Sequence, residues 1–323
     1  MSSTRIVCLT RALTRLTHMG ATAGNEAILA REPVTTATGE RRLVPTLSGN
    51  ALRHVCVRAP GVRWLVDEYG LAGSLSLAQL NFLFHGGSLT EPTGREPTAR
   101  IVEMHGAIPL LKLLGGALPD QILQGSLDAG PGVLVCEENR GRLEAILGED
   151  AFDGLPPLAP GESFVESYQY STYDVRGREP DLAERAPDFA ESASDPRMLY
   201  TGQCVRAGAC FAHEWFLLDP TKVDVGALLW SLELWHRAGG FVGGMSAKGH
   251  GRTQVLVAVE EYDPAECVRA YLDHARQNRD RAVAWLNAAF AKPQKAKPGR
   301  GRKKKAETAE GTESTEGEVD ATR

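Results

Sequence analysis

No stretch of this 323-residue chain reaches the roughly eighteen uninterrupted apolar residues that a bilayer-spanning helix needs. Its first twenty residues are broken by Arg5, Arg11 and Arg15, unlike a secretory signal, so a cytoplasmic protein with no membrane partner is expected. No Cys-x-x-Cys pair occurs among Cys8, Cys56, Cys136, Cys204, Cys210 and Cys267, and no Cys/His spacing suits a structural zinc site. Reduced, mostly buried thiols are expected, with no metal and no cofactor. An excess of positive charge is also missing, the formal net charge being −5. From Lys292 onward there are nine basic and six acidic side chains, a surplus of three, which leaves the preceding body at about −8. A globally basic nucleic-acid binder is thereby excluded, and any such surface has to be a local patch. No internal repeat and no Walker pattern ending in Gly-Lys-(Ser/Thr) is present.

What is present suffices for a core, with 42% hydrophobic residues and a length suited to one elaborated domain or two small ones. Residues 291–323 lack apolar side chains to bury and read as a disordered charged tail, whose basic half either adds nonspecific affinity for nucleic acid or is simply solvated. Residues 177–196, rich in Asp, Glu, Pro and Ser, read as a long loop or insertion.

Between these, residues 5–16 alternate as a strand, 20–24 form a loop, and 27–44 form a hairpin turning at Thr38-Gly39. A helix follows from Ala51 with Ser48 or Asn50 as its cap. Short helices are predicted over 75–84 and 108–114, each ended by a Gly-Gly pair. Strands are predicted over 121–127, 133–137 and 163–175. Residues 198–205 and 209–218 read as a hairpin across Arg206-Ala207-Gly208. An amphipathic helix over 223–238, a strand over 253–260 and one last helix over 264–290 complete the chain. This order predicts an α+β fold, a ferredoxin-like sheet with insertions, rather than regular βα alternation.

Two loops carry the functional signal. In Gly239-Gly240-Phe241-Val242-Gly243-Gly244-Met245-Ser246-Ala247-Lys248-Gly249-His250-Gly251-Arg252, the glycines allow positive φ and close backbone approach, while Lys248, His250 and Arg252 set cations beside amides. That combination suits phosphates of a nucleic-acid backbone, the plainer alternative being a flexible turn between helix and strand. The second is Pro45-Thr46-Leu47-Ser48-Gly49-Asn50-Ala51-Leu52-Arg53, where a strand ends and a helix begins that carries Arg53, His54 and Arg58. Amides at such a helix start attract anions.

With a Pro-x-x-Ser-Gly-x-x-Leu-Arg element after the first strands and a glycine-rich loop near the C-terminus, the chain resembles the RAMP superfamily of CRISPR-associated proteins. The resemblance runs over most of residues 5–290 and is greatest for the backbone subunit of type IV effector complexes. It implies an RNA-recognition-like palm within a 1–290 RNA-binding domain, with inserted finger and thumb elements around 60–120 and 163–197. It also implies a non-catalytic subunit that stacks with further copies of itself along a CRISPR guide RNA, presents that RNA to a complementary nucleic-acid target, and assembles with other effector complex subunits, in a head-to-tail interface that generates a filament. The RNA-binding candidates are Ser48, Gly49, Asn50, Arg53, His54, Arg58, Lys248, His250 and Arg252, joined by Tyr168 and Tyr170 as stacking surfaces on a thumb over 168–178. Residues 198–213 are the alternative thumb, and a half-buried strand face is the plain reading of the tyrosines.

Catalysis has no comparable signature. His18, His54, His85, His105, His213, His236, His250 and His274 fall into no His-Cys or Ser-His-Asp grouping. The resemblance leaves a RAMP-type RNA endonuclease as an alternative, with Asp67, Asp128 and Asp174 as conceivable acidic residues. A nucleotide-binding enzyme using the glycine loop is a further alternative, and it requires a helix after the loop.

Overall fold

The computed structural model describes residues 3–24, 26–36, 38–90, 98–119, 121–171 and 199–291. The tail beyond Ala291 and the thumb candidates from 172 to 198, Asp174 included, lie outside the described residues.

Ile6, Cys8, Thr10 and Ala12 alternate with the more open Arg5, Val7, Leu9 and Arg11, and this period of two makes β1 (Ser3–Ala12) a strand covered on one face. It is followed by β2 (Met19–Ala23), β3 (Glu26–Leu29), β4 (Arg31–Thr35) and β5 (Arg41–Leu47). A continuous helical run comprises α1 (Gly49–Leu52), a π-helical turn (Arg53–Arg58) and α2 (Ala59–Glu68). Next come α3 (Leu77–Leu80) with a second π-turn (Asn81–His85), α4 (Thr98–Ala107), α5 (Pro109–Leu114), β6 (Gly116–Leu118), β7 (Gln121–Leu123), β8 (Leu127–Ala129), β9 (Gly132–Leu134) and α6 (Arg140–Leu147). The remaining elements are β10 (Val165–Ser171), β11 (Leu199–Val205), β12 (Cys210–Leu218), α7 (Lys222–Arg237), β13 (Thr253–Ala258), α8 (Pro264–Gln277) and α9 (Arg279–Ala289).

The main sheet runs β13-β1-β12-β9-β5-β4, with β8 also on β12. Four adjacent strands of it, in chain order β1, β9, β12 and β13, stand in the order fourth-first-third-second. All their pairings are antiparallel, and the π-interrupted helix and α7 make the two crossovers. This is the split βαβ arrangement of a ferredoxin-like fold, as the sequence predicts. The antiparallel β4–β5 pair extends one edge, and a second sheet runs β10-β11-β3-β2.

Helices cover one face of the main sheet. Leu110, Leu111, Leu113, Leu228, Trp215 and Tyr271 are all nearly or wholly buried in one cluster, and each large apolar side chain so buried contributes about 1.5–3 kcal/mol. Thr221 and Asp224 cap α7 reciprocally, and Asp224 also takes Lys112 Nζ at 2.6 Å, fastening α7 to α5. On the opposite face, α6 and the turns after it cover Val133 and Ala212 through Leu143 and Phe152.

Three local expectations need correction. Residues 19–23 are a strand on β3 rather than a loop. Residues 199–205 and 210–218 do not pair as a hairpin: β11 joins β10 and β3, β12 joins β1 and β9, and the short turn between them carries the chain from one sheet to the other. A hairpin-like turn sequence does not specify partners, which are chosen by packing. The last helix is two, broken at Asn278, whose Nδ2 and backbone N–H both donate to His274 O at 3.0 Å. Asparagine competes in this way for helical acceptors and favours such breaks.

Candidate nucleic-acid interface

Ser48 ends β5 in an extended conformation, and its hydroxyl accepts from Ala51 N at 3.3 Å, capping the helix. Its own N–H donates to His18 Nε2 at 3.1 Å, so that ring nitrogen carries no proton, in keeping with the burial that lowers the His18 pKa. Gly49 is required for close approach, because a Cβ there would meet Ala129 O at 2.2 Å. Ser48 and Gly49 thus seat the helix start on the β8–β9 turn, while Asn50 stays exposed.

The three basic residues that follow have different fates. His54 is exposed, its ring near-parallel to that of His85, with centroids 6.3 Å apart. Burial, then Arg58 and His85, lowers its pKa. Arg53 is half-buried, donates to Leu114 O, and encloses an Nε that has no partner. An enclosed, unpaired donor costs about 1–3 kcal/mol. Burial lowers the Arg53 pKa, and Asp128 partly opposes this. Arg58, expected at a phosphate, lies inside the fold. It is 7% exposed, and its Nη1 and Nη2 donate to Phe82 O, Leu83 O, Leu114 O and Gly115 O at 3.1–3.4 Å. The guanidinium therefore clamps the carbonyl ends of two helical segments and turns no Nη outward.

The glycine loop is likewise more self-satisfied than its sequence suggests. Gly239, Gly240, Gly243, Gly249 and Gly251 have φ between 61° and 102°. A Cβ would meet Thr17 O at Gly243 and Val242 O at Gly251, each at 2.2 Å. The amides of Val242, Gly244 and Gly251 donate to Gly251 O, Thr17 O and Arg15 O at 2.6–2.8 Å, so they do not form an open anion cradle. The loop leads into β13, a strand, which removes the helix that the nucleotide-enzyme alternative requires.

His250 is 3% exposed and bonded at both ring nitrogens, to Thr17 Oγ1 at 2.7 Å and to the Tyr170 hydroxyl. It is an internal tie between the glycine loop and β10, with both ring nitrogens engaged within the fold. Burial, then Arg15 and Lys248, lowers its pKa. Tyr168 is 6% exposed and edge-on to His250, so its ring is packing rather than an open stacking surface. Tyr170 and Tyr200 face each other across β10 and β11, Tyr200 is 39% exposed, and Lys248 Nζ lies 4.3 Å from the Tyr170 ring centroid and 5.8 Å from that of Tyr200. Lys248 and Arg252 are exposed. An exposed tyrosine ring and a half-buried one beside a cation can hold an unstacked base and a phosphate together.

The sequence-predicted residues therefore gather at two places, Ser48–Arg58 and Lys248–Arg252 with Tyr168 and Tyr170. What joins them is not visible in the sequence. Thr17 holds the glycine loop through its hydroxyl and carbonyl, and the adjacent His18 holds Ser48 N through its ring and Ala30 N through its carbonyl. Tyr200 and His85 were also missed; an exposed aromatic opposite Tyr170 was foreseeable only had the β10–β11 register been known.

No family model matches the chain, and no curated protein matches it by sequence. Among solved structures it is similar to a chain of a type IV-B CRISPR complex, with a TM-score of 0.54 and 17% identity, covering 80% of this chain and 92% of that one. At this identity the likeness is one of fold, and it agrees with the ferredoxin-like sheet and its added elements.

Proposed function

We propose that this protein is a non-catalytic RNA-binding scaffold of a CRISPR effector complex. It coats a guide RNA in several copies, keeps the bases available to a complementary target, and docks smaller effector subunits. The observation that carries this reading is the surface on which Lys248 lies against Tyr170 and Tyr200, with Arg252 exposed on the same loop, all mounted on a fold similar to that of a type IV-B CRISPR complex chain. Cations beside aromatic faces hold single-stranded RNA without reading its sequence, as a coating subunit must. The patch is local, which is how a body of net negative charge engages a polyanion.

The test is to strip the purified full chain of nucleic acid at high salt and titrate it with labelled oligoribonucleotides at several salt concentrations. Salt-dependent binding with little sequence preference, several chains per long RNA and intact RNA on a gel are expected. A monomer with no salt-dependent RNA affinity defeats the proposal, and RNA cleavage abolished by one Asp or His substitution replaces it with the endonuclease reading.

A further inference from the structure

Between the π-interrupted helix and the β6–β7 hairpin lies an open cleft of about 490 Å³, lined among others by Arg53, His85, Gly86, Leu89, Ile122 and Gly125. Its volume falls within the range of small-ligand sites. Four features define its chemistry. Arg53 lines one wall with a half-buried guanidinium whose Nη2 donates to Leu114 O, and Arg58 closes the floor with its Nη groups committed to carbonyls. His85 offers an exposed imidazole whose ring is near-parallel to that of His54. Leu89 and Ile122, 43% and 66% exposed, supply apolar lips that nothing in the fold requires to be bare. Finally, no carboxylate lines the cleft among the described residues, and Asp128 acts on Arg53 from outside that lining. A cavity that is cationic at one wall, aromatic at its edge and apolar at its lips suits a ligand that is anionic at one end and flat and weakly polar at the other.

We infer that this cleft is a nucleotide subsite, with the phosphate toward Arg53 and the base between His85 and the Leu89–Ile122 lips. The inference deepens the RNA-scaffold reading and rests on it only for the source of the nucleotide. Within a bound RNA, the subsite takes one nucleotide turned out of the track; supplied free, it takes a mononucleotide. Base stacking on a His or an aromatic ring, with an arginine on the phosphate, is the ordinary chemistry of single-stranded RNA recognition.

The test uses the full chain freed of nucleic acid and two probes, AMP by equilibrium dialysis and a labelled oligouridylate by anisotropy. AMP is expected to bind saturably at one per chain. His85→Ala, which removes the stacking ring, and Leu89→Trp, which fills the cleft from the opposite lip, are each expected to weaken it about tenfold. Tyr170→Ala should leave AMP binding within about twofold while weakening the oligonucleotide. If AMP competes with the oligonucleotide, the subsite belongs to the RNA track, and if both bind at once, it serves a free nucleotide. Absence of saturable AMP binding, or equal AMP binding by the parent and both cleft variants, overturns the inference even where the oligonucleotide binds well. Loss of oligonucleotide binding with AMP binding intact leaves the cleft standing and removes the scaffold reading.

Discussion

The helix start at Ser48–Arg58 and the loop at Gly239–Arg252 look alike as sequence, each a glycine-bearing turn followed by three basic residues, yet the fold uses their cations in opposite ways. At the helix start the last cation is turned inward, Arg58 serving four carbonyls at the ends of two helical segments. In the loop the middle one is turned inward, His250 tying Thr17 to Tyr170, and the flanking Lys248 and Arg252 remain outside. A basic residue in a phosphate-friendly motif is thus as readily a solution to the protein's own unpaired carbonyls as a site for a ligand. Which role wins depends on whether unsatisfied backbone groups lie within reach.

This contrast can be broken at three points. The largest effect is expected from Arg58→Ala, which takes the guanidinium from the enclosed Leu83 and Gly115 carbonyls and leaves Phe82 O and Leu114 O only their second donors, Gly86 N and Arg53 Nη2. A loss of at least about 3 kcal/mol in denaturant unfolding is expected, with the salt slope of RNA binding unchanged in the protein that remains folded. A stable variant with a reduced salt slope reverses the assignment of Arg58.

Next is the pH response of the loop tie. The pKa of His250 is lowered in the fold, so the unfolded chain binds a proton more readily between the depressed folded value and the ordinary imidazole value near 6.5. The stability it contributes is therefore complete above that ordinary value and declines as pH falls below it, by up to about 1.4 kcal/mol per pH unit. His213, buried on Thr10 Oγ1 and held down to about 4, adds a slope of the same sign between about pH 4 and the ordinary imidazole value. His250→Gln should accordingly flatten, without abolishing, the loss of stability from pH 6.5 downward in denaturation series. An identical pH profile in variant and parent would show that His250 ionises freely in the fold.

The smallest effect tests the outward cations. Lys248→Ala and Arg252→Ala should leave stability within about 0.5 kcal/mol and each flatten the log-log salt dependence of RNA binding by about one unit, alike for all sequences. Unchanged slopes would place both side chains, like Arg58, in the service of the fold.

Much of the architecture was legible because it rests on local rules. The alternation in β1, the capped start at Ser48, the apolar stripe of α7 and the glycine loop running into a strand all follow from residues within a few positions of one another. The order of these elements implied the ferredoxin-like sheet. The failures lie where partners are remote. The turn at Arg206–Gly208 resembles a hairpin turn, yet Val205 pairs with Val165 and bridges to Leu16 while Cys210 pairs with Arg11, so the chain changes sheet there. Asn278 breaks a helix whose apolar spacing continues through it, because its side chain takes an acceptor that periodicity does not reveal. Among the candidate site residues, side-chain type was readable and orientation was not.

By itself, the sequence determined the class of fold, the places where the backbone needed glycine and the residues able to meet a phosphate, because helix period, strand period, capping and positive φ are set by near neighbours. Only the tertiary structure decided which cations face water, since that depends on carbonyls and rings brought close from far along the chain: Leu114 and Gly115 to Arg58, Thr17 and Tyr170 to His250, and Tyr200 to Lys248.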